Sequence, residues 1–187
     1  MNLFKINFRQ ATIEDKNTIF HWLSEPDVQE FWDNSQAHKD DILNFMNGRK
    51  EPSSYANGEY VYWLALADNI PYSLIMTINE LPQKDREQIK NDHLSTTGST
   101  FSMEFMIGNK DYFGKGLGSK TLEEFVKFFH ETVNNNADTF FIDPDEKNPR
   151  AKHVYEKAGF TYVGDFIMGG QGVFLGHKTH FLVKKLR

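Results

Sequence analysis

Apolar and polar residues alternate over several short stretches of the chain, as they do in β-strands that are buried on one face. The first stretch begins at Phe4, from which every second residue is apolar as far as Phe8. Residues 60–68 and 72–80 are predicted to pair as a hairpin around a tight turn at 69–71. Further strands are predicted at 100–108, 138–144, 161–168 and 177–186.

Helical patterns separate these strands. A Thr-x-x-Asp sequence that begins at Thr12 approximates a capping box for a helix that runs to about Leu23. A short helix is predicted after Pro26, and residues 39–50 have helical character. The polar stretch 82–99 has neither the helical nor the strand period, so we expect it to be a long surface loop.

Two later helices are better defined. Apolar residues between 116 and 133 fall on one broad helical face. In "NPRAKHVYEKAGF", Asn148 can cap a helix, Pro149 takes the favoured first position and Gly159 can end it. The order of elements predicts an α/β fold with a mixed, twisted sheet of about six to seven strands and about four or five helices. No linker or repeat divides the sequence, so we expect one domain over residues 1–187.

Composition limits the possible partners and chemistry. The formal net charge of −5 does not suit nucleic acid, because phosphate binding needs a basic face. The absence of cysteine excludes disulfides, thiol catalysis and cysteine-bound metals. None of the seven histidines lies in a His-Glu-x-x-His spacing, so we predict no catalytic metal.

The sequence offers no targeting or membrane signal. "MNLFKINFRQ" lacks the apolar run and the cleavage site of a signal peptide. No stretch approaches the ~18 consecutive apolar residues of a membrane span. We therefore expect a cytoplasmic protein, monomeric or homodimeric, with no membrane partner.

The stretch "YFGKGLGSKTL" places three glycines at the start of a predicted helix. Bare amides at a helix N-terminus can bind phosphate, so Gly114, Gly116 and Gly118 indicate a phosphate or pyrophosphate cradle. Lys115 and Lys120 add positive charge. The spacing is not that of a P-loop, and ordinary loop glycines are the alternative interpretation.

The glycine stretch and the later "NPRAKHVYEKAGF" together resemble the GNAT superfamily of N-acetyltransferases. The family pattern is Gln/Arg-x-x-Gly-x-Gly/Ala, from which this chain departs at Phe113. The resemblance implies the GNAT fold, acetyl-coenzyme A as acyl donor and a pyrophosphate held by the glycine turn. The coenzyme-binding residues that it implies are Met106, Ile107, Phe113, Gly114, Lys115, Gly116, Leu117, Gly118, Ser119 and Asn148.

The resemblance also implies two catalytic residues. Tyr155 matches a tyrosine near the coenzyme sulfur, where it can protonate the leaving thiolate. Glu104 lies on a strand ahead of the glycine turn, where a carboxylate can bind the acceptor ammonium and act as a base. The alternatives are a core tyrosine and a solvated strand residue.

Within the superfamily the chain is most similar to aminoglycoside 6′-N-acetyltransferases. The likeness is carried by "HWLSEPDVQEFW", "FGKGLGSK" and "DPDEKNPRAKHVYEKAGF". It implies a cationic small-molecule acceptor bound by Trp32, Asp143 and Glu104. The family's acidic residue in the last hairpin is absent from "GGQGVFLGHK". Siderophore-type lysine acyltransferases, which use a histidine near the position of His93, share the same outline.

The acceptor therefore has alternatives. It could be a hydroxylysine siderophore precursor, a polyamine or a protein N-terminus. A different kind of alternative is a coenzyme A-binding module that has lost catalysis. The presence of both Glu104 and Tyr155 favours an enzyme.

Overall fold

A computed structural model describes residues 4–84, 87–169 and 173–186. It contains a seven-stranded sheet with the strand order β1-β2-β3-β4-β5-β7-β6. The strands are β1 (Ile6–Gln10), β2 (Val61–Ala67), β3 (Ile70–Glu80), β4 (Ser99–Ile107), β5 (Ala137–Ile142), β6 (Thr161–Ile167) and β7 (Lys178–Lys185). The helices are α1 (Lys16–Ser24), α2 (Pro26–Gln29), α3 (Gln36–Met46), α4 (Gln88–Asp92), α5 (Leu117–Phe128) and α6 (Pro149–Lys157).

The sheet is mixed, as predicted. β1 to β3 are antiparallel, β4 and β5 are parallel, and β7 is antiparallel to both β5 and β6. A parallel pair needs a crossover, which here contains α5. The predicted α/β class is confirmed, and the described part of the chain has six α-helices, one more than predicted, because α4 lies within the predicted surface loop.

Contacts divide the chain into two compact units. The first comprises Met1–Thr77 and Phe105–Lys115, and the second Ile78–Glu104 and Gly116–Arg187. The strands β3 and β4 contribute residues to both units. That residues 1–187 form one domain stays a prediction.

Aromatic and aliphatic side chains from α1, α3, β2 and β3 build the core of the first unit. Ile19, Leu23, Ile42, Leu64 and Leu74 are fully buried in it. Burying side chains of this size is the main favourable term in folding, at about 1.5–3 kcal/mol each. β2 and β3 are buried along most of their length, so both faces of these strands are covered.

The predicted turn at 69–71 starts one residue too late and ends two residues too late. The two turn residues are Asp68 and Asn69, whose φ angles are +50° and +69°. Ile70 and Pro71 already belong to β3 and pair with Ala67 and Leu66. This two-residue turn has positive φ at both positions, as a type I′ turn does, and aspartate and asparagine tolerate that better than isoleucine or proline.

The predicted surface loop at 82–99 is also corrected, since it contains α4 and the start of β4. Ile89 and Leu94 pack against a buried cluster in the second unit, formed by Phe141, Phe166, Phe181 and Val183. Asp85 and Arg86 lie outside the described residues. A five-residue helix shows almost no period in the sequence, because only one or two of its side chains face the core.

The last hairpin, β6 and β7, belongs to the second unit. Its connecting sequence, "GGQGVFLGHK", lacks the acidic residue that the family has there. Gly170, Gln171 and Gly172 lie outside the described residues. His180 on β7 contacts Asp165 on β6, with 2.6 Å between Nδ1 and Oδ1. His177 pairs with Asp145 at 2.5 Å. Both histidines thus have acidic partners within this unit.

Candidate active site

The glycine turn leads directly into α5. Gly116 is the N-cap residue of this helix and has a left-handed backbone, with φ = +72°. Gly114 has φ = +70°, and a β-carbon added at either position meets nothing within 4 Å. The backbone conformation, and not crowding inside the protein, therefore explains these two glycines. The first amides of α5 have no intrahelical acceptor, and the helix dipole adds partial positive charge there.

The two lysines of this stretch have partners of their own. Nζ of Lys115 lies 5.4 Å from the ring centre of Tyr112 and 5.9 Å from that of Phe4. Lys120 faces Glu124 one turn along α5, with 3.5 Å between Nζ and Oε1. Aromatic rings do not cancel the charge of Lys115, so this lysine and the backbone amides both make the turn electropositive.

Two of the predicted carboxylates lie just past the point where the parallel strands β4 and β5 stop pairing. The ladder between β4 and β5 ends at the pair Ser102–Phe141, while β4 itself continues to Ile107. Glu104 and Asp143 each come two residues after that last pair. The carboxyl ends of parallel strands are the usual place for a binding site in an α/β sheet.

Tyr155 lies on α6 in the same unit and is 7% exposed. Burial raises the pKa of its hydroxyl well above the usual value, and the negative charges of Asp143 and Glu104 raise it further. In the described part of the chain no group makes a hydrogen bond to this hydroxyl. Tyr155 therefore stays protonated at neutral pH and can donate to a ligand.

Asn148 positions the start of α6. Its side-chain oxygen accepts a hydrogen bond from the backbone N–H of Ala151 at 3.0 Å, as the sequence predicted for an N-cap residue. Pro149 is the first helical residue. This cap fixes the direction of the helix that carries Tyr155.

Asp143 has a partner that the sequence did not predict. Nζ of Lys90 on α4 lies 2.7 Å from Oδ2 of Asp143. The same ammonium lies 4.8 Å from the ring centre of Phe166. Sequence reasoning missed Lys90 because it stands in a polar stretch with no period.

Glu80 is an acidic residue near this site that the sequence did not predict. It is the last residue of β3, and its carboxylate accepts a hydrogen bond from the Ser102 hydroxyl. Its negative charge also acts on Lys90. The alternation along β4 places Ser102 and Glu104 on one face.

Other predicted site residues lie in more enclosed surroundings. Trp32, 6% exposed, packs in the core of the first unit, and its indole nitrogen is buried without a hydrogen-bond partner among the described residues. Met106 belongs to the same core, and its carbonyl accepts a hydrogen bond from Ser73 at 2.6 Å. His93 rests edge-on against Phe181, with 5.8 Å between ring centres. Their roles in binding stay predictions.

Within residues 4–84, 87–169 and 173–186, no group of three or more histidine, aspartate or glutamate side chains is arranged to hold a metal ion. None of the helices described is both long and apolar enough to cross a membrane.

Comparison with known proteins assigns this architecture to a class. A family model described as an acetyltransferase (GNAT) domain matches residues 5–161. The chain belongs to the GNAT acetyltransferase family, and it is an acyltransferase that uses acetyl-coenzyme A as acyl donor. The predicted family and donor are thereby confirmed.

Several similar proteins are named for an aminoglycoside acceptor or bind one. An aminoglycoside N(6′)-acetyltransferase type 1 from Klebsiella pneumoniae is 24% identical over 160 residues, which is 85% of this chain and 75% of that protein. The crystal structure of an aminoglycoside N(6′)-acetyltransferase from Legionella pneumophila has a TM-score of 0.73 at 22% identity, covering 99% of this chain and 94% of the other. AAC(6′)-Ib in complex with paromomycin and acetyl-coenzyme A has a TM-score of 0.74 at 20% identity, covering 97% and 94%.

Proposed function

We propose that this enzyme transfers the acetyl group of acetyl-coenzyme A to a primary amine, the 6′-amine of an aminoglycoside. The observation that carries the proposal is the group formed by Tyr155, Glu104 and Asp143 in the second unit. One member is a buried, protonated hydroxyl, and the other two are carboxylates whose charges act on it. An acid for the leaving group and anions for an ammonium are what amine acetylation requires. The names of the relatives support the aminoglycoside.

The coenzyme is assigned to the glycine turn and the strand ahead of it. Amides near Gly116 and Gly118 suit a pyrophosphate, because α5 begins there with its first N–H groups unpaired. Phe113, Gly114, Lys115, Leu117 and Ser119 flank those amides in the sequence.

The pantetheine arm is assigned to β4 and α6. Met106 and Ile107 lie on β4 past the end of its ladder with β5, where backbone groups can pair with amides of the arm. Asn148 uses its side-chain oxygen for the cap, and its NH₂ group can donate to the arm. Acetyl-coenzyme A supplies an activated thioester. Residues of this chain are left to deprotonate the amine and to protonate the leaving thiolate.

Glu104 is assigned the acceptor amine. Amines reach the enzyme protonated at neutral pH, so the attacking nitrogen must first lose a proton. A carboxylate at Glu104 can bind the ammonium and accept that proton, directly or through water. Asp143, in the same unit, adds a second anion for a cationic acceptor, and Trp32 in the first unit is the aromatic contact that the resemblance implies.

Tyr155 is assigned the leaving group. Its hydroxyl stays protonated because burial and two negative charges oppose its ionisation. Donation of this proton to the departing thiolate lets the C–S bond break, and the proton that the attacking amine releases restores the tyrosine hydroxyl. The same two carboxylates thus serve the acceptor and keep the acid protonated.

Two other functions stay in view. An acyltransferase for a different amine, such as a siderophore precursor, a polyamine or a protein N-terminus, would use the same residues. A coenzyme A-binding module without catalysis would need neither Glu104 nor Tyr155.

A coenzyme A release assay over a panel of amines tests the proposal. The panel contains kanamycin, spermidine, N-hydroxylysine and a peptide with a free N-terminus. We expect the highest kcat/KM with kanamycin and acetylation of its 6′-amine, identified by mass spectrometry and NMR. A clear preference for another amine would contradict the aminoglycoside assignment, and tight coenzyme binding without turnover on any amine would indicate the binding module.

A further inference from the structure

The ion pair between Lys90 and Asp143 occupies one of the carboxylates assigned to the acceptor. The two side chains are only 12% and 17% exposed, and their charged atoms are 2.7 Å apart. Neither group is therefore a freely hydrated surface charge. The cation of Lys90 is a fixed part of the electrostatics of this site.

Several contacts hold α4, and with it Lys90, in place. Ile89 packs so closely on β6 that a β-carbon added at Gly164 would lie 2.6 Å from its Cδ1 atom. The helix ends at His93, whose Nδ1 lies 2.8 Å from the carbonyl oxygen of Ile89. The side chain of Asn91 accepts a hydrogen bond from the backbone N–H of Gln83, ahead of the helix, and donates one to the carbonyl oxygen of the same residue. Lys90 thus projects from a docked element.

The side chain of Lys90 is a protonated ammonium and therefore does not act as a nucleophile. Burial alone would lower the pKa of its ammonium, but the charges of Asp143, Glu80 and Glu87 outweigh burial and raise it. A protonated amine has no lone pair with which to attack a thioester. Self-acetylation of Lys90 is therefore disfavoured, and its positive charge offsets part of the negative charge of Asp143.

We propose that Lys90 determines acceptor specificity by offsetting the charge of Asp143. This pairing reduces the affinity that the site gains from each additional positive charge on the acceptor. This inference rests on the proposed function, because it concerns the acceptor of that reaction. An acceptor with several ammonium groups must compete with Lys90 for Asp143, whereas an acceptor with one needs only Glu104. A charge that opposes one class of ligand is a recognised way to set specificity.

The test removes the charge of Lys90 and keeps its packing. Lys90→Met retains an apolar chain over Phe166, and Lys90→Arg retains the charge. The quantity measured is kcat/KM for kanamycin divided by kcat/KM for benzylamine, a monoamine. We expect Lys90→Met to raise this ratio about three- to tenfold, as expected for one partly screened charge, and Lys90→Arg to leave it near the wild-type value.

Two controls separate this effect from general changes of charge or fold. Lys127→Met removes the same charge from an exposed lysine of α5, which faces Glu131 at 3.9 Å, and should not change the ratio. In an Asp143→Asn background, Lys90→Met should have no further effect on the ratio, because the carboxylate that it frees is gone. If Lys90→Met does not fold by circular dichroism, Lys90→Gln replaces it.

An unchanged ratio in folded Lys90→Met, or an equal rise in Lys127→Met, would overturn the inference while the proposed function stands. If wild-type protein acetylates no amine, the proposed function fails first. Calorimetric titration of kanamycin into wild-type and Lys90→Met protein then measures binding affinity and tests the inference independently of turnover. Tighter binding to the variant supports it, and equal binding overturns it.

Discussion

At the scale of single residues, Tyr155 is held protonated by its surroundings. Its ring is buried on α6, and burial together with Asp143 and Glu104 raises the pKa of its hydroxyl. A raised pKa favours the neutral form, so the hydroxyl remains a donor throughout the physiological range. The role of Tyr155 as an acid can be tested separately from coenzyme binding.

Replacing Tyr155 with phenylalanine should lower kcat about a hundredfold or more, because general acids typically contribute 10²–10⁴-fold. The ring and its packing remain, so the KM for acetyl-coenzyme A should change little. Steady-state kinetics with both substrates measure the two quantities. If the turnover of Tyr155→Phe equals that of the wild type, Tyr155 is not the acid.

Glu104 is tested by its dependence on pH. Glu104→Gln keeps the shape of the side chain but can neither accept a proton nor attract an ammonium, so kcat/KM for the acceptor should fall about a hundredfold. The acidic limb of the wild-type pH–rate profile, if Glu104 causes it, should disappear in the variant. A variant profile with the same magnitude and shape would remove Glu104 from catalysis.

At the scale of elements, the start of α5 depends on the left-handed backbone at Gly116. Gly116→Ala should lower the free energy of unfolding by about 1 kcal/mol because alanine is strained at φ = +72°. It should also weaken acetyl-coenzyme A binding about tenfold or more, because relief of the strain at this N-cap would shift the amides assigned to the pyrophosphate.

Gly176 provides a matched control for that variant. It has φ = +80° and open space around an added β-carbon, and it lies in the last hairpin. Gly176→Ala should therefore lose similar stability without loss of coenzyme affinity in calorimetry. Equal weakening of the coenzyme by both variants would show that the effect of Gly116→Ala is only structural.

The corner between β1 and α1 is an element whose stability depends on pH. Arg9 donates to both carboxylate oxygens of Asp15, at 2.6 and 2.8 Å, and the backbone N–H of Thr12 donates at 2.8 Å. Burial alone would raise the pKa of Asp15, but these hydrogen bonds outweigh burial and lower it. A lowered pKa in the folded state means that the stabilisation is present above the unfolded value of about 3.9 and is lost as the pH falls through the folded value.

Asp15→Asn should therefore lower the free energy of unfolding at pH 7 by about 1–2 kcal/mol. The difference from the wild type should shrink as the pH falls below about 4. Urea unfolding at a series of pH values measures both effects. Glu14→Gln, at an exposed neighbour, is the control, and a difference that stays constant with pH would contradict the assignment.

The element that the sequence did not predict is α4. Its residues are mostly polar, and its docking depends on partners far away in the chain, such as Gly164 and Phe166. No local pattern indicates that Ile89 will find a buried cluster. Short elements that are stable only in their tertiary contacts are hard to recognise in a sequence.

At the scale of the whole molecule, the net charge of −5 favours association with cations. For a polycationic acceptor such as kanamycin, kcat/KM should fall about threefold or more between 50 and 300 mM salt, because salt screens this attraction. The kcat/KM for a monoamine such as benzylamine, which carries one positive charge, should fall less. Stopped assays at constant pH measure both, and identical salt profiles would contradict a role for charge in acceptor binding.

The fold was largely predictable because its long elements carry clear periods. The strand β1, the broad buried face of α5 and the Asn148-Pro149 start of α6 all appear in the structure. The family followed from two local motifs, and the match over residues 5–161 confirms it. The exact ends of elements were less predictable, as the turn at Asp68 and Asn69 illustrates, since turn type decides them.

The sequence by itself determined which residues could carry the chemistry: the glycines ahead of α5, Glu104, Asp143, Asn148 and Tyr155. The glycines and the Asn148 cap follow from local rules of backbone freedom and helix capping, whereas the roles of Glu104, Asp143 and Tyr155 are predictions from the family resemblance. Only the tertiary structure decided what surrounds them. The negative charges that keep Tyr155 protonated and the lysine that offsets the charge of Asp143 come from distant segments, because electrostatic neighbours are set by distance in space and not along the chain.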